Sequence, residues 1–313
     1  MKPTFAIRGT ITAALLLLAA GAALAQTPGT GAISGIVTDP QNHTVGSADV
    51  LAENEATHIV RSATTGADGE FRIPLLVPGR WTVTVRAPGF APNATHEVEV
   101  TVSETRSLTV QLAVAADAGT TVHVSGRAED VQAESSTLGG VVDETAIQTL
   151  PLASRNYTQI LGLSPGVVVD LPNAAQLGSG SQNVASDGAT PTANNIQFNG
   201  IDANNLAENS AAIAETSEVG VAIPAPDTIQ EFRVQTANFD AAYGRGSGAN
   251  VDLVSKSGAN NFHGSAWEFV RNNLFNANDF FSKLSGQPKP DLKQNQFGAA
   301  AGGPILHDRT FFF

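Results

Sequence analysis

Gly162-Leu-Ser164-Pro-Gly166 has the glycine–serine–glycine spacing of a hydrolase nucleophile elbow. That elbow needs the residue after serine to offer its backbone N–H to an oxyanion. Proline has no N–H, and the residues before Ser164 follow a helical rather than a strand pattern, so Ser164 reads as a turn residue. Oxygen ligands gather at Asn199, Asp202, Asn204 and Asn205 and could hold a hard cation. Their spacing is not that of a calcium loop, and Asn and Asp also bond to neighbouring backbone in turns, which is the expected use here. The six histidines are scattered and the chain has no cysteine, so no zinc-type spacing exists. There is no phosphate loop and no dinucleotide fingerprint. No catalytic residue, metal or cofactor is expected, and the chain is not expected to be an enzyme.

The elements that would position these groups centre on Asp227–Arg271. Glu231-Phe-Arg-Val-Gln-Thr236 alternates Phe232 and Val234 with Arg233 and Gln235, and Asn250–Lys256 places Val251 and Leu253 on one face. Both read as strands with one polar and one apolar face. Between them, Tyr243-Gly-Arg-Gly-Ser-Gly248 has glycines at alternate positions, suited to positive φ or to close approach of another wall. Ser257-Gly-Ala-Asn260 turns the chain. From Phe262 a different strand starts, with Trp267 and Phe269 on one face and Ala266 and Glu268 on the other. Aromatic against small or polar is the alternation of an outer-membrane barrel strand.

Four blocks in this order, E-F-x-V-x-T at 231–236, Y-G-R-x-x-G at 243–248, V-x-x-V-S-K-S-G at 251–258 and F-H-G-S at 262–265, resemble the end of the plug domain of TonB-dependent outer-membrane receptors. The continuation resembles the first barrel strand of their Oar-like branch. Leu150–Val167, L-P-L-x-x-R-N-Y-x-x-I-L-x-L-x-P-G-V, resembles the plug's opening. Asn199-Gly200-Ile-Asp202 resembles a plug motif that more usually has Asp at the position of Asn199. The resemblance thus implies that Asn199, Gly200, Asp202, Tyr243, Gly244, Arg245 and Gly248 are plug-motif residues.

Met1–Ala25 reads as a secretory leader. Lys2 and Arg8 precede an apolar run from Ile11 to Leu18, and Ala23-Leu-Ala25 is a small-x-small cleavage site leaving Gln26 as the mature start. The apolar run is short for a membrane span. The net charge is −12, and removing Lys2 and Arg8 makes it more acidic. That argues against nucleic acid, which calls for a basic patch.

From Gly31 to Val114 short alternating runs are separated by turn signals. Ile33 and Val37, Val50 and Ala52, residues His58 to Thr64, Phe71 and Ile73, Trp81 with Val83 and Val85, Val98 with Val100 and Val102, and Leu108 with Val110 and Leu112 mark seven strands. Seven short strands at this spacing predict an immunoglobulin-like β-sandwich. Asp68-Gly69 predicts a hairpin with a primed turn. Gly35-x-Val-x-Asp39, Gly69-x-Phe71 and Leu76–Phe90 (LVPGRWTVTVRAPGF) resemble the carboxypeptidase regulatory-like domain, which carries no catalytic machinery. Related folds bind carbohydrate, but the alternation of Trp81 with Val83 and Val85 makes it a core residue.

Residues 115–119 are small and polar, a linker. Thr120, Thr121, Val122, His123, Val124 and Ser125 form a short β-prone run ending at Gly126. The resemblance implies a short segment near the plug's start that pairs with the energy-coupling protein TonB by strand addition; the run fits that role and equally fits the plug's first strand. Within the plug, residues 127–261, Asp143–Leu150 predicts a helix ending at Pro151, Ser154 a cap for a second helix, Val167–Val169 a strand, and 173–195 a long loop. In residues 262–313, Phe262–Arg271 predicts one barrel strand, Lys293–Gly302 a second, Gly303-Pro304 a turn and Arg309–Phe313 a third.

The expected fold is therefore mainly β: a leader, a sandwich over 31–114, a linker over 115–126, an α+β plug and the first strands of an incomplete transmembrane β-barrel. A plugged receptor barrel has about 22 strands, so the expectation is a truncated product of a longer gene. The resemblance implies TonB-dependent transport of an unknown substrate, with partners in a TonB-type protein, outer-membrane lipid and an extracellular ligand. It implies the outer membrane of a Gram-negative bacterium, with the sandwich in the periplasm. The alternative from another class is a non-transporting carbohydrate- or surface-binding module.

Overall fold

The computed structural model describes residues 29–115, 137–150, 152, 155, 157–169, 184–204, 224–239 and 243–313. The leader with Ala25 and Gln26, and the run from Thr120 to Ser125, lie outside the described residues.

Seven strands build the first unit: β1 (Gly31–Thr38), β2 (Asp49–Asn54), β3 (Val60–Thr64), β4 (Glu70–Leu76), β5 (Gly79–Arg86), β6 (Asn93–Val100) and β7 (Thr105–Gln111). They form two sheets, ordered β4-β1-β7 and β3-β2-β5-β6. The inward halves of the alternating runs meet in one core around Ile33, Val37, Phe71, Trp81, Val83 and Val85. Trp81 is 1% exposed and donates Nε1–H to the carbonyl of Val77. Asp68-Gly69 is not the tip of a hairpin. Gly69 takes φ +77° in a tight turn, but β3 and β4 belong to opposite sheets, so the turn carries the chain across the sandwich. A dipeptide sets local backbone curvature and cannot decide which sheet the next strand joins.

The second unit is a five-stranded sheet ordered β12-β11-β14-β13-β8. Its strands are β8 (Leu138–Val142), β11 (Asn195–Phe198), β12 (Ile201–Asp202), β13 (Ile229–Ala237) and β14 (Asn250–Ser255). β11 runs parallel to β14, and the other pairs are antiparallel. α1 (Glu144–Thr149) is capped by Asp143, whose side chain accepts the amide of Ala146. α2 (Thr158–Leu161) has Tyr157 at its N-cap position with no side-chain cap, in place of the cap expected from Ser154. These helices, with the pair β9 (Val167–Val169) and β10 (Val184–Ser186), pack Ile147, Tyr157, Ile160 and Leu161 onto Phe232, Val234, Val251 and Leu253. β10 and the 3-10 turn at Pro191–Ala193 give regular structure to part of the expected long loop.

The last unit is a three-stranded antiparallel sheet of β15 (His263–Asn272), β16 (Lys293–Leu306) and β17 (Thr310–Phe312). Trp267 pairs directly with Gly298, and a Cβ there would stand 2.6 Å from the indole. Gly303-Pro304 lies inside β16 rather than turning it; the register slips between Pro304 and Leu306, and the chain reverses at His307–Arg309. Proline lacks a ladder donor, so a bulge accommodates it where a regular register would not. α3 (Phe280–Leu284), with exposed Phe280 and Phe281, interrupts the β15–β16 connection.

Candidate functional site on the plug sheet

The candidate motif residues separate into two groups. The first surrounds the tight turn between β11 and β12. Asn199 and Gly200 both have positive φ, 51° and 77°, the conformation of a two-residue primed hairpin turn. Asn199 Oδ1 accepts the amide of Ser255, and its Nδ2 donates to Ser255 Oγ, fastening the turn to the end of β14. Asp202 forms an ion pair with Arg245 and accepts the amide and side-chain N–H of Asn204. Burial opposes its charge, but Asn204 and Arg245 outweigh that, and the carboxyl lies below its ordinary range. Asn204 in turn accepts the amide of Ile196 and donates to Asn195, which bonds Asn250. Asn199, Asp202 and Asn204 thus spend their capacity on turns and cross-strand bonds, while Asn205 lies outside the described residues. Among the described residues no group of acidic, histidine or cysteine side chains could hold a metal.

The glycines of the 243–248 motif do different work. None has positive φ; the residue in the left-handed region is Arg245, at φ 71°. A Cβ on Gly246 would stand 1.8 Å from the carbonyl oxygen of Ala193, whereas one on Gly244 would meet nothing within 4 Å. Gly248 is pressed against the side-chain oxygen of Asn194 and donates its amide to Ala193. Gly246→Ala is therefore expected to destabilise the plug by about 1–3 kcal/mol, while Gly244→Ala stays within about 0.5 kcal/mol. Thermal unfolding of the two variants side by side checks this; equal melting shifts would refute the close-approach account.

The second group starts at Tyr243, whose hydroxyl lies 2.6 Å from both Asp252 Oδ2 and Ser103 Oγ. Ser103 Oγ also donates to Asp252 Oδ2 at 2.7 Å. Ser103 belongs to the sandwich, in the turn between β6 and β7, so this cluster joins the two units. In the same turn the Val102 amide donates to the Glu231 carboxylate, and Glu104 receives Arg233 at 3.4 Å. Burial pushes the Glu231 carboxyl up to about 7; Glu99 and Glu104 add to this, while the Val102 amide and Arg233 oppose it. Burial also raises Asp252, against the bonds from Tyr243 and Ser103, and raises Tyr243, with the Asp252 charge adding to it.

The polar face of the plug sheet is covered: Glu231, Arg233, Gln235, Asn250 and Asp252 are all buried. Sequence reasoning missed Ser103, Glu104, Glu231 and Asp252 as an interface. The one available signal was charge of both signs on one face of neighbouring strands, which reads equally as a solvated surface.

A third set of contacts links the plug to the barrel strands. Arg155 forms a buried ion pair with Asp227 and lies 4.1 Å over the ring of Phe269 in β15. Lys256, between β14 and β15, pairs with Glu144 of α1 at 2.8 Å. Ser164 is a buried turn residue whose amide bonds Leu161.

Comparison with known proteins resolves this architecture. The carboxypeptidase regulatory-like domain matches residues 32–113, the TonB-dependent receptor plug domain residues 128–251, and the outer membrane beta barrel domain residues 254–313. The chain thus carries, in this order, a regulatory-like domain, the plug domain of TonB-dependent receptors and the start of an outer-membrane barrel domain. It is 29% identical over 324 residues to the TonB-dependent transporter Oar of Myxococcus xanthus, covering 97% of this chain and 28% of that relative's length. The outer membrane transporter YddB of Escherichia coli aligns over 54% of this chain and 24% of its own, at 18% identity and a TM-score of 0.41. The plug and barrel domains place the protein in the outer membrane.

Proposed function

We propose that the protein serves TonB-dependent transport across the outer membrane, with the sandwich in the periplasm and the plug closing the lumen of the barrel. The observation that carries the reading is the direct succession of plug sheet and barrel strands. β14 ends at Ser255, and β15 opens at His263 an antiparallel ladder in ten-residue register with β16. Val270 and Phe297 are exposed on one face of this ladder, the apolar surface a lipid-facing strand presents, whereas Phe269, expected from the alternation to share the lipid face with Trp267, lies on the other face under Arg155 of the plug. The division into a sandwich over 31–114, a linker over 115–126, a plug over 127–261 and barrel strands from 262 belongs to the same proposal, as does the absence of enzymatic activity.

The coupling partner is a TonB-type protein, engaged by strand addition at Thr120–Ser125, where backbone hydrogen bonds supply affinity with little demand on sequence. A photo-crosslinker at Val122 in the full-length membrane protein is expected to give an adduct with TonB. Deleting Thr120–Gly126 is expected to abolish energised uptake while the heat-modifiable barrel persists; unchanged uptake would overturn this assignment. The carbohydrate-binding alternative loses its motivating residue, because Trp81 lies inside the sandwich core and presents no face to a sugar.

A further inference from the structure

We propose that the turn from Val102 to Glu104 is a releasable latch between the sandwich and the plug, and that proton uptake on its plug side closes it. The proposal regulates the transport reading above and rests on it for its purpose, though not for its test. Its geometry is that of a built joint. Val102 is fully buried yet belongs to neither hydrophobic core; its amide is spent on Glu231. Ser103 sits within hydrogen-bond reach of both Tyr243 and Asp252, and Glu104 faces Arg233. Nearby, Gln230 Nε2 donates to the carbonyl of Pro78, a second contact between the two units.

The joint is held by polar groups rather than by an apolar core, and it is incompletely satisfied. Asp252 Oδ1 and Arg233 Nε are buried without a hydrogen-bond partner. Buried charge left short of partners is costly, and opening the joint would return these atoms to water. An interface that gains by being wetted on release is suited to opening and closing.

Charge decides which way it is biased. Glu231 is faced by Glu99 from β6, Glu104 from the turn and Arg233 from its own strand. Arg106 of β7 and Asp143 ahead of α1 line the same cavity of about 630 Å³. Asp252 is faced by Tyr243, Ser103 and Arg233. Glu231 titrates near 7 when docked against an ordinary 4.5. Docking therefore favours the protonated acid. Its contribution is complete below about pH 4.5 and is lost as pH rises to about 7, with a slope of at most about tenfold per pH unit for one proton. Asp252, also raised, biases the joint in the same direction.

Hydrogen exchange at the Val102 amide tests this in the full-length protein in its membrane, with no substrate or TonB present. After correction for intrinsic exchange, protection at Val102 is expected to fall by tenfold or more between pH 5.5 and pH 8, while amides within β1 and β5 stay protected. Tyr243→Phe, which removes the donor shared by Ser103 and Asp252, is expected to speed exchange at Val102 by about tenfold. Glu231→Gln keeps an oxygen for the Val102 amide and removes the charge, so it should hold the joint closed at pH 8 and flatten the pH profile. Flat protection in the wild type, or a Gln variant as pH-dependent as the wild type, would overturn the proposal. Because the readout needs no transport, failure of the latch and failure of the transport reading are separable.

Discussion

Arg155→Ala is expected to loosen the plug by about 3–5 kcal/mol, because it leaves the Asp227 carboxylate buried without its counter-charge. The side chains of Arg155 and Asp227 are 8% and 11% exposed, so water cannot take over the missing partner. Arg155 also covers Phe269 at 4.1 Å, a contact worth roughly 0.5–2 kcal/mol on its own. Through it the variant should free the first barrel strand as well as the plug. Arg155 Nε has no hydrogen-bond partner, so the pair is itself an imperfect use of buried charge. Replacing both members by apolar side chains, Arg155→Met with Asp227→Leu, is therefore expected to recover most of the loss. Hydrogen exchange at the β13 and β14 amides measures the opening free energy of the sheet in each variant. If the single and double variants open equally, the loss comes from packing and the ion-pair account fails.

Trp81→Ala is expected to cost the sandwich about 3–5 kcal/mol, the range for emptying an aromatic site in a packed core. Trp81 stands on β5 between β2 and β6, opposite Asn54 and Val98, and is the largest fully buried side chain among the described residues. Small domains are stable by only about 5–15 kcal/mol, so one substitution removes a large share. The consequence extends beyond the sandwich, because the turn that covers the plug's charged face hangs from β6 and β7. Urea unfolding of the chain followed by far-UV circular dichroism should show an earlier transition for the sandwich, and Val102 should lose exchange protection with it. A shift of less than 1 kcal/mol would mean that the core collapses around the vacancy. Thr82→Ala, at the outward-facing neighbour, loses a hydroxyl bonded to Glu55 and His96 but empties no core site, and as the matched control should cost no more than about 1 kcal/mol.

Alternation, turn chemistry and motif order by themselves determined the mainly β class, the seven sandwich strands, Trp81 in the core, the Asn199-Gly200 turn, and the succession of plug and barrel strands. These are legible because side-chain period and backbone preference act over a few residues, within reach of a local reading. Tertiary structure alone decided the rest. Asp68-Gly69 turned the chain into the opposite sheet, and Gly303-Pro304 became part of a long strand, because pairing partners are chosen across the fold and not within a dipeptide. Three similar glycines at 244, 246 and 248 became one open position and two close contacts, since only the approach of Ala193 and Asn194 distinguishes them. Glu231, Arg233 and Asp252 alternate as a solvated face would, yet they are buried beneath a turn more than a hundred residues earlier. A polar face has the same pattern whether water or another domain covers it, so only the docking of the sandwich could show that it is a joint.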